Sequence, residues 1–472
     1  MDENIMRVLQ MLQDGKVTAQ EAETLIAALR GETTPPPKPE EPPQPEAPAD
    51  EKEKKGFFSG FENFKTPKFD IDGLGERISK AVAKVQPEKI LKQVQTQIRT
   101  ASRTSAHWGT AFTEKMKNWT DGEDARPTSV GNELVEAHHQ EFHFESDVRV
   151  MAENPLGNIK LIGSAEGPWS ATITKTGWGA SAEIAKSHLN KIETSLYATD
   201  DRLDIKVSVP DSFRSGTVDI ELVIPKSAQV RLCTRFGNIE VSEFDGRTET
   251  VSTTGALHLH DMGGEARGET LSGDVKAERI GGAVTVATQD GDISADTLCR
   301  GISANTVSGD VAIKNIEGGK VEAKSVSGDV KAENLGHENP LDITLESISG
   351  EVSVLEAKGN LSLKAVSGDI VAEKLIVTRL QAQTVSGDIK AILNELFSGT
   401  MQVNTVSGDV TIALVEGSNV RATLSTHSGD LRCEHDAYEV NATETLWTGQ
   451  VGTGAGGVNV QTLSGDIHLL RA

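Results

Sequence analysis

Cysteine, aromatic residues and positive charge are all scarce in this 472-residue chain. Cys233, Cys299 and Cys433 are the only cysteines and lie far apart, so neither a disulfide framework nor a thiolate metal site is indicated. Aromatics amount to 4 %, and the core of an antiparallel sandwich would call for more. Lys and Arg number 47 against 70 Asp and Glu. The net charge of −23 excludes nucleic acid as the main partner, because phosphates would be repelled. No apolar run approaches the roughly 18 residues that span a bilayer. The opening stretch MDENIMRVLQMLQDGK lacks the apolar core of a secretory leader. The expectation is a reduced, cytoplasmic protein, at most peripheral at the inner face of the membrane. No GxSxG, Walker or dinucleotide fingerprint occurs, so no cofactor is expected.

Glycine is abundant instead, at 45 residues, and it marks a period. Gly237, Gly255, Gly273, Gly291, Gly309 and Gly328 follow one another at eighteen or nineteen residues, and Gly350 to Gly465 continue the series more loosely. Ser-Gly-Asp occurs eight times after residue 270, almost always before Val or Ile. A period near 20 that tolerates small insertions is the signature of a solenoid. After each acid, alternating apolar residues (Val275 and Ala277, Val330 and Ala332, Ile389 and Ala391) form the inward face of one strand. A second strand precedes each turn, as in Val321–Ala323, Leu361–Leu363 and Val458–Val460. The fold class expected is mainly β: a parallel, right-handed β-helix of about 12 coils, since right-handed crossovers dominate parallel sheets. Small Ala positions in the columns account for the slim core and the few aromatics.

Upstream of the repeat the chain changes character three times. Residues 1–30 read as a helical hairpin, with Ile5, Leu9 and Leu12 on one stripe and Leu25, Ile26 and Leu29 on the other. Helices this short are marginal alone, so these stripes are the expected self-association surface. They resemble the SHOCT-like helical module, which implies association with a second copy or another protein. Residues 31–55 are a Pro/Glu-rich linker without apolar residues for a core. Residues 56–125 read as amphipathic helices, and over 56–120 eleven Lys and Arg face six Asp and Glu. Phe57, Phe58, Phe61, Phe64, Trp108, Phe112 and Trp119 in this basic setting are the expected contacts to an anionic membrane surface. Residues 130–235 lead into the β-helix of 236–472.

The stretch NPLGNIKLIGS, the run VDIELVIPKSAQVRL and the T-x-SGD-[VI] units together resemble a bacterial family of β-strand-repeat proteins that carry an adhesin label. The resemblance covers about residues 130–472. It implies a β-helical fold and a link to the cell envelope, and the label implies surface exposure.

The acids after glycine are the sharpest candidate site. As calcium ligands the set would be Asp310, Asp329, Asp369, Asp388 and Asp409, since Ca²⁺ favours carboxylate oxygens. As turn residues they would instead accept backbone N–H groups. A catalytic carboxylate pair is singular, whereas this acid recurs in every coil, so the pattern reads as architecture and the protein as no enzyme. His138, His139 and His143, and His258 with His260, read as polar residues on exposed strand faces rather than metal ligands. The stretch SGDIHLLRA reads as an uncovered last coil, and an open β edge invites pairing with another copy, similar to bactofilin polymers. The functional expectation is a non-enzymatic, self-associating scaffold in cell-envelope maintenance. The competing class is an adhesin-like carbohydrate or calcium binder.

Overall fold

The computed structural model describes residues 132–144, 148–210 and 213–472. The expected hairpin, linker and basic segment over 1–125 lie outside them. So do Ile5, Leu9, Leu12, Leu25, Ile26 and Leu29, and Phe57, Phe58, Phe61, Phe64, Trp108, Phe112 and Trp119.

Each repeat supplies two short strands, here called a rung. Strand Val275–Ile280 lies between Leu257–Met262 and Ile293–Leu298, parallel to both, with Leu257, Val275 and Ile293 in register. Its rung partner Ala266–Ser272 lies likewise between Thr248–Thr254 and Val284–Ala287. Repetition of this pairing builds a large, mixed but mainly parallel sheet that curves nearly closed. The columns read from the sequence point inward: Val275, Ile293, Val311, Val330, Val352, Ile370, Ile389 and Val410 are all buried, as are Ala277, Ala295 and Ala332 beside them. Such aliphatic ladders stabilise the stack by roughly 1.5–3 kcal/mol per buried large side chain.

A third inward column escaped the period-two reading. Ile280, Leu298, Ile316, Leu335 and Leu375 are buried three residues after the Ala or Ile column, where strict alternation would place them outside. The residue before each adopts a left-handed backbone: Arg279, Thr297, Asn315, Asn334 and Lys374 have φ between 51° and 57°. A non-glycine residue there costs roughly 1–2 kcal/mol. Side-chain bonds along the same column offset that cost. The Arg279 guanidinium donates to Asp261 Oδ1 and Oδ2 at 2.6 and 2.9 Å. Asn334 donates to Asn315 Oδ1 at 2.6 Å.

The glycine column is set by contact as well as by backbone conformation, with φ of 151° at Gly368 and 149° at Gly387. A Cβ on Gly387 would stand 2.2 Å from the carbonyl oxygen of Gly368, and one on Gly368 the same distance from that of Gly350. Threonine or serine three residues before most of these glycines completes the corner. Thr288, Thr306, Ser325 and Ser347 donate their hydroxyls to the carbonyls of Gly273, Gly291, Gly309 and Gly328 at 2.9–3.0 Å. The T in the T-x-SGD unit is therefore the buried donor that satisfies the preceding rung.

Both ends of the stack depart from the expected serial winding. The lead-in region supplies rungs of its own, out of sequence order. Strands Arg149–Asn154 and Ile159–Ser164 lie between Arg202–Ser208 with Gly216–Pro225 on one side and Gln229–Phe236 with Ile239–Phe244 on the other. Antiparallel strands reverse the chain here, Asn132–Phe142 on Trp169–Gly179 and Glu193–Ala198 on Arg202–Ser208. The helix Ala182–Leu189, capped by Ser181 and burying Ala185 and Leu189, connects them. The sequence reading contains neither this helix nor the antiparallel pairs.

The expectation of a bare last coil is overturned. Strands Gly456–Gln461 and Ile467–Arg471 lie between Thr400–Asn404 with Val410–Leu414 and Val420–Ser425 with Leu431–Cys433. SGDIHLLRA is thus an inner rung. The outer strand Val420–Ser425 is covered by the antiparallel pair Leu446–Val451 and Ala437–Ala442. The physical reason is that every rung presents the same edge pattern, so stacking order need not follow chain order.

The hydroxyl column makes a paired prediction. Thr306→Val should cost about 1–3 kcal/mol in urea unfolding, because it strands the Gly291 carbonyl. The corresponding slot opposite Gly350 holds the fully buried Ala365, and Ala365→Thr should gain about 1 kcal/mol. An unchanged midpoint for Thr306→Val would reject the role assigned to the column.

Candidate functional site

The acids after glycine form one column, and eight of them, Asp274, Asp292, Asp310, Asp329, Asp369, Asp388, Asp409 and Asp466, bind the neighbouring rung. Asp292 Oδ1 accepts from the backbone N–H of Asp310 at 2.8 Å, and Asp310 Oδ1 from that of Asp329 at 2.8 Å. Asp329 Oδ1 accepts from Glu351 N–H at 2.9 Å. Asp369, Asp388 and Asp409 accept from Asp388, Asp409 and Asp466 at 2.8 Å each. Asn158 and Asn238 play the same part at the other end, accepting from Asn238 and Ala256 at 2.9 Å. Neutral amide oxygens thus replace carboxylates in the same role, so the role is acceptance of an N–H.

Asp310, Asp369, Asp388 and Asp409 are exposed and Asp329 is half-buried. Like charges stacked about 5 Å apart repel by roughly 1 kcal/mol even at water's dielectric. The N–H dipole and local cations counter this. The Glu351 N–H, and then the Lys331 ammonium 3.0 Å from Asp329 Oδ2, hold the Asp329 carboxyl below the usual carboxylate range. Lys276, Lys390 and Arg432, at the corresponding position of other rungs, pair instead with Glu278, Glu373 and Glu434.

The remaining candidates lie apart. His138 and His139 are on an exposed strand, His139 within 2.9 Å of Thr172 Oγ1. The His143 ring tilts against Trp169. His260 sits 3.0 Å from Asp261 and 3.8 Å from Glu240, and His258 is exposed. Among the described residues no three His, Cys, Asp or Glu side chains gather as a metal-binding group. Burial pushes the Cys233 thiol up to about 11. Cys299 is exposed, and Cys433 is half-buried against the core opposite Leu469.

One charged row was not legible in the repeat. Glu346, with 1 % of its side chain exposed, lies 3.0 Å from Lys364 and 3.8 Å from Lys324, and Lys324 lies 2.7 Å from Glu322. These four side chains occupy three successive strands of one face, Glu322 and Lys324 sharing Lys320–Ser327. The signal available was alternation of sign at the position before the Thr/Ser column, in Lys324, Glu346 and Lys364.

The Asp329 geometry has a pH consequence. Its folded pKa is depressed, so its contribution is present above the unfolded value near 3.9 and is lost as pH falls through the lower folded value. Asp329→Asn keeps the acceptor, as Asn158 and Asn238 do. It should change stability by less than about 1 kcal/mol at pH 7 while losing less than the parent between pH 5 and pH 2. Urea unfolding across that range checks both arms; equal acid sensitivity in parent and variant would reject the assignment.

Comparison with known proteins supplies two family matches. Residues 278–470 match the Toastrack DUF4097 family, and residues 3–33 match the SHOCT-like domain. No curated protein matches the chain. Similar solved structures include a "putative cell adhesion protein" from Clostridium sporogenes ATCC 15579, 10 % identical, covering 72 % of this chain and 100 % of that one with a TM-score of 0.16. A "putative lipid binding protein" from Parabacteroides distasonis ATCC 8503 is 13 % identical, with coverage of 72 % and 98 % and a TM-score of 0.24. A "putative adhesin" from Parabacteroides merdae ATCC 43184 is 12 % identical, with coverage of 54 % and 98 % and a TM-score of 0.21.

Proposed function

We propose that this protein is a non-enzymatic scaffold that self-associates, contacts an anionic membrane surface from the cytoplasmic side and serves cell-envelope maintenance. The stack of rungs is read further as a right-handed β-helix of about 12 coils, the hand that parallel crossovers favour. One observation carries the functional reading. The most repeated polar groups in the chain, the acid and the hydroxyl of most units, are engaged with the neighbouring rung rather than converging on a common point. A repeat whose chemistry goes into stacking builds a support, and activity then belongs to what the support holds. The SHOCT-like domain supports association, with Ile5, Leu9, Leu12, Leu25, Ile26 and Leu29 as the contact stripes. The basic stretch with Phe57, Phe58, Phe61, Phe64, Trp108, Phe112 and Trp119 supports membrane contact.

Two measurements test this reading. In flotation with vesicles rich in anionic phospholipid, deleting 56–120 should lower recovery roughly tenfold or more at low salt, since each basic residue near the surface contributes about 1 kcal/mol. Equal recovery would reject the membrane role. Thermal melts with and without millimolar Ca²⁺ should coincide, because Asp310, Asp329, Asp369, Asp388 and Asp409 are occupied as acceptors. A midpoint raised by several degrees would favour the calcium-binding reading instead.

A further inference from the structure

We infer that the rung 456–471 is an exchangeable element, and that two copies of this chain associate by each placing it in the other's slot. The inference deepens the self-association reading above and rests on it. The slot is the space between the rung of Thr400–Asn404 and Val410–Leu414 and the rung of Val420–Ser425 and Leu431–Cys433.

The slot is built from generic contacts. Within one copy, Asp466 N–H donates to Asp409 Oδ1 and Asp430 N–H to Asp466 Oδ1, both at 2.8 Å. Thr426 donates to the Gly465 carbonyl at 3.0 Å. Backbone bonds run from Gly408 N–H to Ser464 and from Ile467 N–H to Asp430. Val458, Val460, Ile467 and Leu469 are buried between the flanking rungs. All of these contacts are those of an ordinary rung. An identical rung from a second copy reproduces them without any new surface, which is why exchange is a low-cost route to a dimer.

The slot is weakly shut on one side only. In chain order, 420–433 would stack directly on 400–414, so the inner rung enters only when that outer rung is away from its neighbour. The outer rung is thin: its second strand, Leu431–Cys433, is three residues long, and both apolar side chains are half-buried. Beyond the strand pairing, this side is held by His435 Nε2 at 2.9 Å from the Leu470 carbonyl, by Glu434 N–H donating to the Leu469 carbonyl at 2.9 Å, and by Arg471, which donates to the Glu434 carbonyl at 3.1 Å and lies 3.4 Å from Glu416 and 3.6 Å from Asp436. The short second strand places this half of the rung at the low-stability end of the fold, while Val420, Ala422 and Leu424 anchor the first strand. The connection to the exchangeable rung is a glycine-rich stretch, Gly452-Thr453-Gly454-Ala455-Gly456-Gly457, in which Gly452 and Gly454 have φ of 58° and 67°. It crosses the end of the outer strand at Asn419, which accepts from Thr453 N–H at 2.9 Å and from Gly456 N–H at 2.8 Å. A connector of this kind re-orients without strain, so the rung can leave its own slot while the rest stays folded.

The test uses full-length chains in a Cys299→Ser, Cys433→Ala background, leaving the buried Cys233. Asn404 and Gln461 are partners in adjacent strands. One chain carries Asn404→Cys and the other Gln461→Cys; a chain with both is the control that the thiols meet. The two single variants are co-refolded from urea, oxidised and run on a non-reducing gel, with light scattering on the same samples. Exchange predicts a covalent dimer, up to about half of the chains, in the mixture and in neither variant alone. Dimers by light scattering without that cross-link would overturn exchange and leave self-association standing through another surface. Monomers with no cross-link would overturn both.

Discussion

Everything in the repeat depends on one constraint: successive rungs lie close enough that the glycine of one presses against the backbone of the last. There is no room for a Cβ at that corner, as the 2.2 Å approach at Gly368 and Gly387 shows. Close approach aligns each backbone N–H with the carbonyl of the adjacent rung, and it also buries the glycine carbonyls. The hydroxyl column follows from that burial, because a carbonyl removed from water needs a donor. The acid column follows from the same geometry on the outer side, where the next rung's N–H needs an acceptor. Glycine, threonine and aspartate therefore recur together for one reason.

That reasoning also explains why the outside carries so much paired charge. In-register parallel stacking brings every outward position beside its equivalents, so like residues would form like-charged columns. Outside the aspartate column the chain alternates them, in Asp261 with Arg279 and in Lys324, Glu346 and Lys364. Exposed pairs of this kind contribute little individually. The Glu346 row differs, since its carboxylate is removed from water and either ammonium lost would leave a buried charge short of a partner.

The repetition that makes the middle simple makes the ends ambiguous. A rung edge is the same everywhere, so a segment can seat on any rung left open. At both ends it does so out of order: 149–164 lies inside 202–225, and 456–471 lies inside 420–433. Antiparallel strands and the helix Ala182–Leu189 carry the chain back across the edge. These reversals also cover edges that would otherwise invite further pairing.

What the sequence by itself determined is local and periodic: the rung length, the inward Val/Ile and Ala columns and the glycine corner. Each is encoded by residues close in the chain, whose spacing is visible because it repeats. The third inward column was nearly legible, in the apolar residue three places beyond the alanine, but it required a left-handed residue such as Arg279 that no propensity favours. Only the tertiary structure decided the partners of each rung. The hydroxyl donors, the Glu346 row and the interleaved ends all rest on contacts between residues 15 to 80 apart. Because every edge offers the same hydrogen bonds, local pattern could not choose among them; the covering strands, the connectors and the space left at each end did.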